Sequence, residues 1–319
     1  MHIPDGFLDG KTMVATAALS AAGLSLAVRQ LRRRLPRRRV PLMGLAAAFV
    51  FAAQMLNFPI AGGTSGHLLG SVLIAVLLGP GAAVLVLTAV LIVQCLVFAD
   101  GGLLSLGANI FNMGIVGGVG GYAIYRGVQR LMGGARGVVM GAAFAAWCSA
   151  TLAAVLAAGE LAISGTVPWT IVFPAMVDVH LLIGLGEAAI TVLVVVAIQR
   201  TRPELIDPAA PASGALSYRQ IIAYGLLLSL GLALFVSPFA CAWPDGLEKV
   251  AAALGFAHRA ASHPLVPAPM ADYRLPWIRS APLATSLAGA AGTVLVFILA
   301  FVSARVLIPK TETPARSAT

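Results

Sequence analysis

The first two residues, Met1 and His2, carry three nitrogens in a row: a free α-amine, the amide of residue 2 and the His2 imidazole. Closed on one ion, they form a chelate that suits Ni²⁺ or Cu²⁺, and Co²⁺ less well, because these ions accept imidazole and nitrogen-rich, often square-planar sets. The amide binds only after losing its proton, which Ni²⁺ and Cu²⁺ drive readily and Zn²⁺, Mg²⁺ and Ca²⁺ poorly. Alone, a His after an initiator Met is incidental. A fourth nitrogen is on offer at His67, which closes the run Asn57-Phe58-Pro59-Ile60-Ala61-Gly62-Gly63-Thr64-Ser65-Gly66-His67. Glycines and small hydroxyl residues let such a segment pack tightly and re-enter a bundle. The plainer reading of His67 is an imidazole tied to a backbone carbonyl. Thr64, Ser65 and Asp5 are candidates to fix the imidazole rings through their second nitrogens.

Further polar residues lie in apolar runs. Asp178, His180 and Glu187 share one run, and ionisable groups inside a membrane are functional candidates by default. His180 and Glu187 are seven apart and share a helix face, whereas Asp178 is nearly opposite Glu187. That split favours interior hydrogen bonding over one ligand cluster, with an ion path second. Asn109 and Asn112 read as ties within a bundle or as groups behind a site. His258 and His263 follow the segment Trp243-Pro244-Asp245-Gly246-Leu247-Glu248 and could hand over an ion. In that segment, Asp with Glu three residues on is a helix-start signature, and Leu247, Val250, Ala251 and Leu254 give the helix an apolar stripe.

These residues must be positioned by membrane helices. Of the 319 residues, 59% are hydrophobic and 10% charged, and mean hydropathy is +0.94. A soluble domain carries roughly 25% charged residues, so the composition predicts an all-α integral membrane protein in a lipid bilayer. About nine segments are expected, near 12–29, 41–57, 67–79, 81–99, 107–125, 137–158, 170–199, 220–239 and 282–304. Gly79-Pro80-Gly81 should break the third from the fourth. A net charge of +9 could suggest nucleic acid, but the basic residues fall in short loops, so no nucleic acid is expected. Placing the N-terminus outside leaves sixteen of the 21 Lys and Arg inside, which predicts an extracytoplasmic N-terminus and a cytoplasmic C-terminus. No basic n-region precedes the first apolar run, and bulky His2 should protect Met1 from removal. The domains expected are 1–199, a seven-segment unit; 200–218, a cytoplasmic linker; and 219–319, two spans around an outer loop.

Two tempting motifs fail. Gly10-Lys11-Thr12 lacks the earlier glycine of a phosphate loop, since that position is Asp5, so no ATP site is expected. Cys95, Cys148 and Cys241 are scattered and suggest neither a disulfide framework nor a zinc cluster. No His-Glu-x-x-His pattern occurs, and a planar four-nitrogen site leaves little room for water chemistry, so an enzyme is disfavoured.

Met1-His2-Ile3-Pro4-Asp5-Gly6-Phe7-Leu8, Gly63-Thr64-Ser65-Gly66-His67, Leu78-Gly79-Pro80, Asp100-Gly101-Gly102 and Gly107-Ala108-Asn109-Ile110-Phe111-Asn112-Met113 together resemble the CbiM/NikM family. These are substrate-binding S components of energy-coupling factor (ECF) nickel and cobalt transporters. The likeness covers residues 1 to about 200, and the rest resembles a fused accessory N component with its Pro-Asp-Gly-Leu-Glu signature. The resemblance implies a metal held by the Met1 amine, the His2 amide and imidazole, and His67. It implies a transmembrane coupling subunit and two cytoplasmic ATPase subunits as partners in the inner membrane. No cofactor is implied; the transported ligand is Ni²⁺ or Co²⁺. The all-nitrogen set, the form of the His67 loop and the fused module favour nickel. The rival is an autonomous secondary metal transporter, which would call for an inverted repeat and acidic coupling residues. No repeat is visible, and only Asp178 and Glu187 would serve.

Overall fold

The structure, a computed structural model, describes residues 1–207 and 217–308. Residues 208–216 of the expected linker, 200–218, therefore lie outside the described residues. An extended N-terminal segment leads into α1 (Gly10–Arg34), whose first turn is capped by the Asp9 carboxylate accepting from the Thr12 amide at 2.9 Å. Then come α2 (Val40–Gln54), a two-stranded hairpin of β1 (Phe58–Ile60) and β2 (Thr64–Gly66), α3 (Ser71–Leu78) and α4 (Pro80–Phe98). The break before α4 falls where the sequence predicts it. Gly79 has φ 92°, and Pro80 opens the next helix at a position that needs no amide hydrogen.

α5 (Leu106–Asn109) runs through a π-helical stretch, Ile110–Gly120, into α6 (Gly121–Met132). α7 (Gly134–Ile163) and α8 (Trp169–Thr201) form a long antiparallel pair. α7 buries small residues, among them Ala146, Ala150, Ala153 and Ala157, and Gly184 of α8 lies so close to Trp147 that a Cβ there would meet its carbonyl at 3.0 Å. The Trp147 indole N–H donates to the Leu181 carbonyl at 3.0 Å. The second module supplies α9 (Tyr218–Gly231), short α10 (Gly246–Ala253) and α11 (Ala281–Leu307). α11 packs closely on α2: a Cβ at Gly292 would run into the Phe51 ring.

Six helical segments among the described residues are long and apolar enough to cross a membrane: Gly10–Arg34, Pro80–Phe98, Gly134–Ile163, Trp169–Thr201, Tyr218–Phe239 and Ala281–Leu307. The other three expected spans coincide with shorter or composite elements, namely α2, α3 and the α5–α6 run. The reason is physical. α3 has eight residues, about 12 Å of helix at 1.5 Å per residue, so it is a re-entrant piece rather than a full crossing. α8 has 33 residues and extends beyond a roughly 30 Å hydrocarbon core.

Candidate metal centre

The N-terminal segment is threaded into the bundle. Met1 is 6% exposed, Ile3 0% and Phe7 3%, so these apolar side chains anchor the segment. Its backbone is held as firmly. Asn109 grips Ile3 at both ends, its Oδ1 accepting from the Ile3 amide at 2.8 Å and its Nδ2 donating to the Ile3 carbonyl at 3.1 Å. The Asp5 carboxylate accepts from the amides of Leu103, Leu104 and Ser105 at 2.9–3.2 Å. On the other side, the 254–280 loop of the second module closes over Gly6. The Ala261 amide donates to the Asp5 carbonyl at 2.8 Å, and a Cβ at Gly6 would strike the Arg259 carbonyl.

This threading brings Met1, His2 and His67 together. The Met1 amine nitrogen lies 3.0 Å from His67 Nε2. His67 Nδ1 faces the Leu68 carbonyl at 3.1 Å; a carbonyl only accepts, so Nδ1 carries the hydrogen and Nε2 turns its lone pair to Met1. The tie to a backbone carbonyl is therefore present, and it keeps the ring's hydrogen off Nε2. The His2 and His67 rings stack, with centroids 5.4 Å apart and planes inclined by 21°. His2 Nδ1 lies 3.2 Å from Asp100 Oδ1, and His2 Nε2 lies 3.1 Å from Gln94 Oε1.

The second module completes the wall. Asp245 Oδ2 is 2.6 Å from the Met1 ammonium and 4.0 Å from His67 Nε2. The expected helix start is present: Asp245 caps α10 through the Glu248 amide at 2.9 Å, and the Glu248 carboxylate accepts from the Asp245 amide at 3.0 Å. One carboxylate therefore does two jobs, with Oδ1 on the helix and Oδ2 on the amine. Tyr273, from the same module, donates to Asp100 at 2.6 Å and stacks on Phe98 at 4.6 Å.

Burial sets the protonation of the rings. It lowers the His67 imidazole, with help from the neighbouring ammonium, to about 3. His2 is also lowered, again chiefly by burial. Burial alone would raise the Asp245 carboxyl, but the ammonium and His67 beside it outweigh that and hold it well below the usual carboxylate range. Both imidazoles are thus neutral near pH 7 and available as ligands. A cavity of about 20 Å³, room for about one water, lies among Met1, His67, His180, Glu187 and Asp245. A larger one of about 490 Å³ adjoins His2 and His67 and is bordered by Asp100, Asp245, Glu248 and Asp272.

The other expected residues divide into those that need correction, Thr64, Ser65 and Asp5, and those that take the interior roles expected of them, Asn112 and Glu187. Thr64 and Ser65 touch neither imidazole. The Thr64 hydroxyl donates to the Pro244 carbonyl at 3.1 Å and the Ser65 hydroxyl to the Trp243 carbonyl at 2.7 Å, so they stitch β2 to the second module. Asp5 braces the 103–105 loop instead of a ring. Asn112 lies behind the site, donating to Glu160 at 2.8 Å. Glu187 is fully buried and accepts from the amides of Leu69 and, at 2.9 Å, Gly70; it anchors backbone. His180 lines the small cavity, but its Nδ1 faces the Met176 carbonyl at 2.8 Å and its buried Nε2 has no hydrogen-bond partner. Asp178 is exposed on the opposite face of α8, and His258 and His263 are exposed on the 254–280 loop. Sequence reading missed Gln54, Gln94 and Asp100 at the site and gave Asp245 only its capping role. Among the described residues, no group of three or more His, Cys, Asp or Glu could hold a metal ion. Amine and amide nitrogens are outside that donor class.

Six helical segments long and apolar enough to cross a bilayer, with a buried, nitrogen-rich chamber among them, define a multi-pass membrane protein. Comparison with known proteins gives the family. Residues 2–205 match the family described as cobalt uptake substrate-specific transmembrane region, and residues 219–309 match the PDGLE domain. The chain belongs to the CbiM family, with a PDGLE domain fused to it. A putative fused nickel transport protein NikMN of Archaeoglobus fulgidus is 40% identical over 310 residues, spanning 96% of this chain and 98% of the relative. The fused nickel transport protein NikMN of Rhodobacter capsulatus is 34% identical over 333 residues, spanning 93% and 95%. A crystal structure of a truncated transition metal transporter aligns with TM-score 0.58 at 35% identity, covering 63% of this chain and 99% of that one.

Proposed function

We propose that this chain captures Ni²⁺, in preference to Co²⁺, as the metal-specific subunit of an ATP-driven ECF importer. The observation that carries the reading is the convergence of the Met1 amine on His67 Nε2 at 3.0 Å, with His2 stacked beside them. The proposed ligands are the Met1 amine, the His2 amide and Nδ1, and His67 Nε2. The ion takes the amine from Asp245 and Nδ1 from Asp100. The carboxylates bordering the larger cavity suit the approach of a hydrated cation. Its N-terminal end faces the extracytoplasmic side of the inner membrane, and a separate coupling subunit and two ATPase subunits supply the energy. The fused nickel transport relatives support nickel; the four-nitrogen donor set supports it independently.

The test is metal analysis of purified full-length protein with Met1 intact, beside His2→Ala and His67→Ala, with Ni²⁺ and Co²⁺ in competition. Both variants are expected to lose the ion. Wild-type retention in either one rejects the proposed ligand set. Metal-stimulated ATPase is expected only when coupling and ATPase subunits are added. Nucleotide-free uptake into vesicles holding this chain alone would instead favour an autonomous carrier.

Binding is coupled to protons in a defined way. The ammonium and the His2 amide must each lose a proton, whereas both imidazoles are held neutral, His67 down to about 3. Protons are therefore released on binding, and affinity falls as the pH is lowered. Calorimetry in buffers of different ionisation enthalpy counts those protons. A count near four would mean that the imidazoles are charged before binding.

A further inference from the structure

Two buried glutamines join α2 to α4 and stand outside the proposed ligand set. Gln54 ends α2 at 5% exposure, and Gln94 sits in α4 at 0%. Burying a primary amide in a bundle is costly unless its hydrogen bonds are made. Here they form a chain with one allowed direction. The Leu69 carbonyl can only accept, so Gln54 Nε2 donates to it at 3.0 Å. Gln54 Oε1 is then turned to Gln94, whose Nε2 donates at 2.8 Å. Gln94 Oε1 is left facing His2 Nε2 at 3.1 Å, and that nitrogen must be the donor. A neutral imidazole has one N–H: held on Nε2 by Gln94, it leaves the lone pair on Nδ1, the nitrogen that Asp100 Oδ1 faces at 3.2 Å and that an arriving ion would take from it. Nδ1 alone can close a six-membered ring with the His2 amide nitrogen on a shared ion; Nε2 points away from the backbone and cannot.

We propose that Gln94, itself oriented by Gln54, is the positioning residue that presents His2 Nδ1 to the cargo ion. This inference rests on the ligand set proposed above. The origin of the signal is one short stretch of backbone. The Leu68 carbonyl sets the His67 ring with its hydrogen on Nδ1, and the next carbonyl, Leu69, acting through the two glutamines, turns an acceptor to Nε2 of the His2 ring. Glu187 pins that stretch by its Leu69 and Gly70 amides. Two rings from distant parts of the chain thus take complementary tautomers from adjacent peptide groups.

The test is a double-mutant cycle on the full-length protein, with Ni²⁺ as the probe, read by calorimetry and by the visible absorption of a planar four-nitrogen Ni²⁺ centre. Gln54→Met removes the donor to Leu69 and frees the Gln94 amide to turn its N–H toward His2. Ni²⁺ affinity is expected to fall about 10- to 100-fold, the range typical of groups that orient a metal-bound imidazole. In a Gln94→Glu background the same Gln54→Met change is expected to cost less than about threefold, because an ionised carboxylate has no donor face to turn. The packing change that Gln54→Met brings is the same in both backgrounds, so a mere packing defect would give equal losses in the two. Equal losses, or no loss in the wild-type background, overturn the proposal. His2→Ala runs beside them: if it binds Ni²⁺ like wild type, the ligand set itself fails; if it does not, a flat cycle rejects the glutamine relay alone.

Discussion

A single glycine inserted between Met1 and His2 is expected to abolish Ni²⁺ binding while leaving the fold intact. The amine and the amide of residue 2 close a five-membered ring on the ion, and the amide and His2 Nδ1 close a six-membered one. An inserted residue places an extra peptide unit between the amine and the imidazole. The chain cannot slide to compensate, because Asn109 clamps Ile3 at both its amide and its carbonyl, and the Ile3 carbonyl also accepts from Gly102 at 2.9 Å. The amine is thus driven off its 3.0 Å approach to His67 and out of its pairing with Asp245. Losing a covalently held ligand forfeits its effective concentration, so affinity should drop on the order of 10³-fold or more. Calorimetry with Ni²⁺ measures the loss, and thermal unfolding reports the fold. Wild-type affinity in the inserted protein would falsify the chelate.

Glu187→Leu is the second large effect, and it separates two roles for a membrane carboxylate. Its oxygens accept from the Leu69 and Gly70 amides, and Leu accepts from neither. Two buried donors would be orphaned at about 1–3 kcal/mol each, roughly 2–6 kcal/mol together. The strain is local to the strap that carries His67. Gly70 has φ 78°, and a Cβ there would press on Val50 at 2.7 Å, so the strap has no alternative seat. Ni²⁺ affinity and melting temperature should therefore fall together in Glu187→Leu, and Glu187→Gln, whose single carbonyl oxygen keeps one acceptor, should fall between. An ion-path role makes the opposite forecast: Glu187→Gln would block transport in the assembled importer with equilibrium binding and melting temperature unchanged. That second pattern would sink the anchor.

The parts of the site that could be read from the sequence are those where a rare residue type carried the signal. His2 and His67 stand out in so apolar a chain, and Gly79-Pro80 marks a break that backbone sterics enforce. The opposition of Asp178 to Glu187 followed from helical angle alone, and the structure exposes one and buries the other. What was illegible depends on pairing across the fold. Thr64 and Ser65 neighbour His67 in sequence, but β2 turns them to Trp243 and Pro244, 178 to 180 residues away. Gln54 and Gln94 are uncharged and sit in long apolar runs, where a hydropathy scan passes over them. Their meaning lies in a hydrogen-bond direction set by a distant carbonyl. Asp245 showed its local role because a capping box is a local pattern. Its grip on Met1, 244 positions away, has no local signature.

The stitching of β2 to Trp243 and Pro244, together with the Asp245–Met1 pair, means that one wall of the chamber belongs to a different module. Were the modules separate polypeptides, that wall would have to be found anew by collision in the plane of the membrane. Carried on one polypeptide, it meets the chamber as an intramolecular partner, at a fixed effective concentration. Its reseating is then a first-order event, independent of how many copies the membrane holds. A sparsely expressed protein keeps its chamber walled as completely as an abundant one.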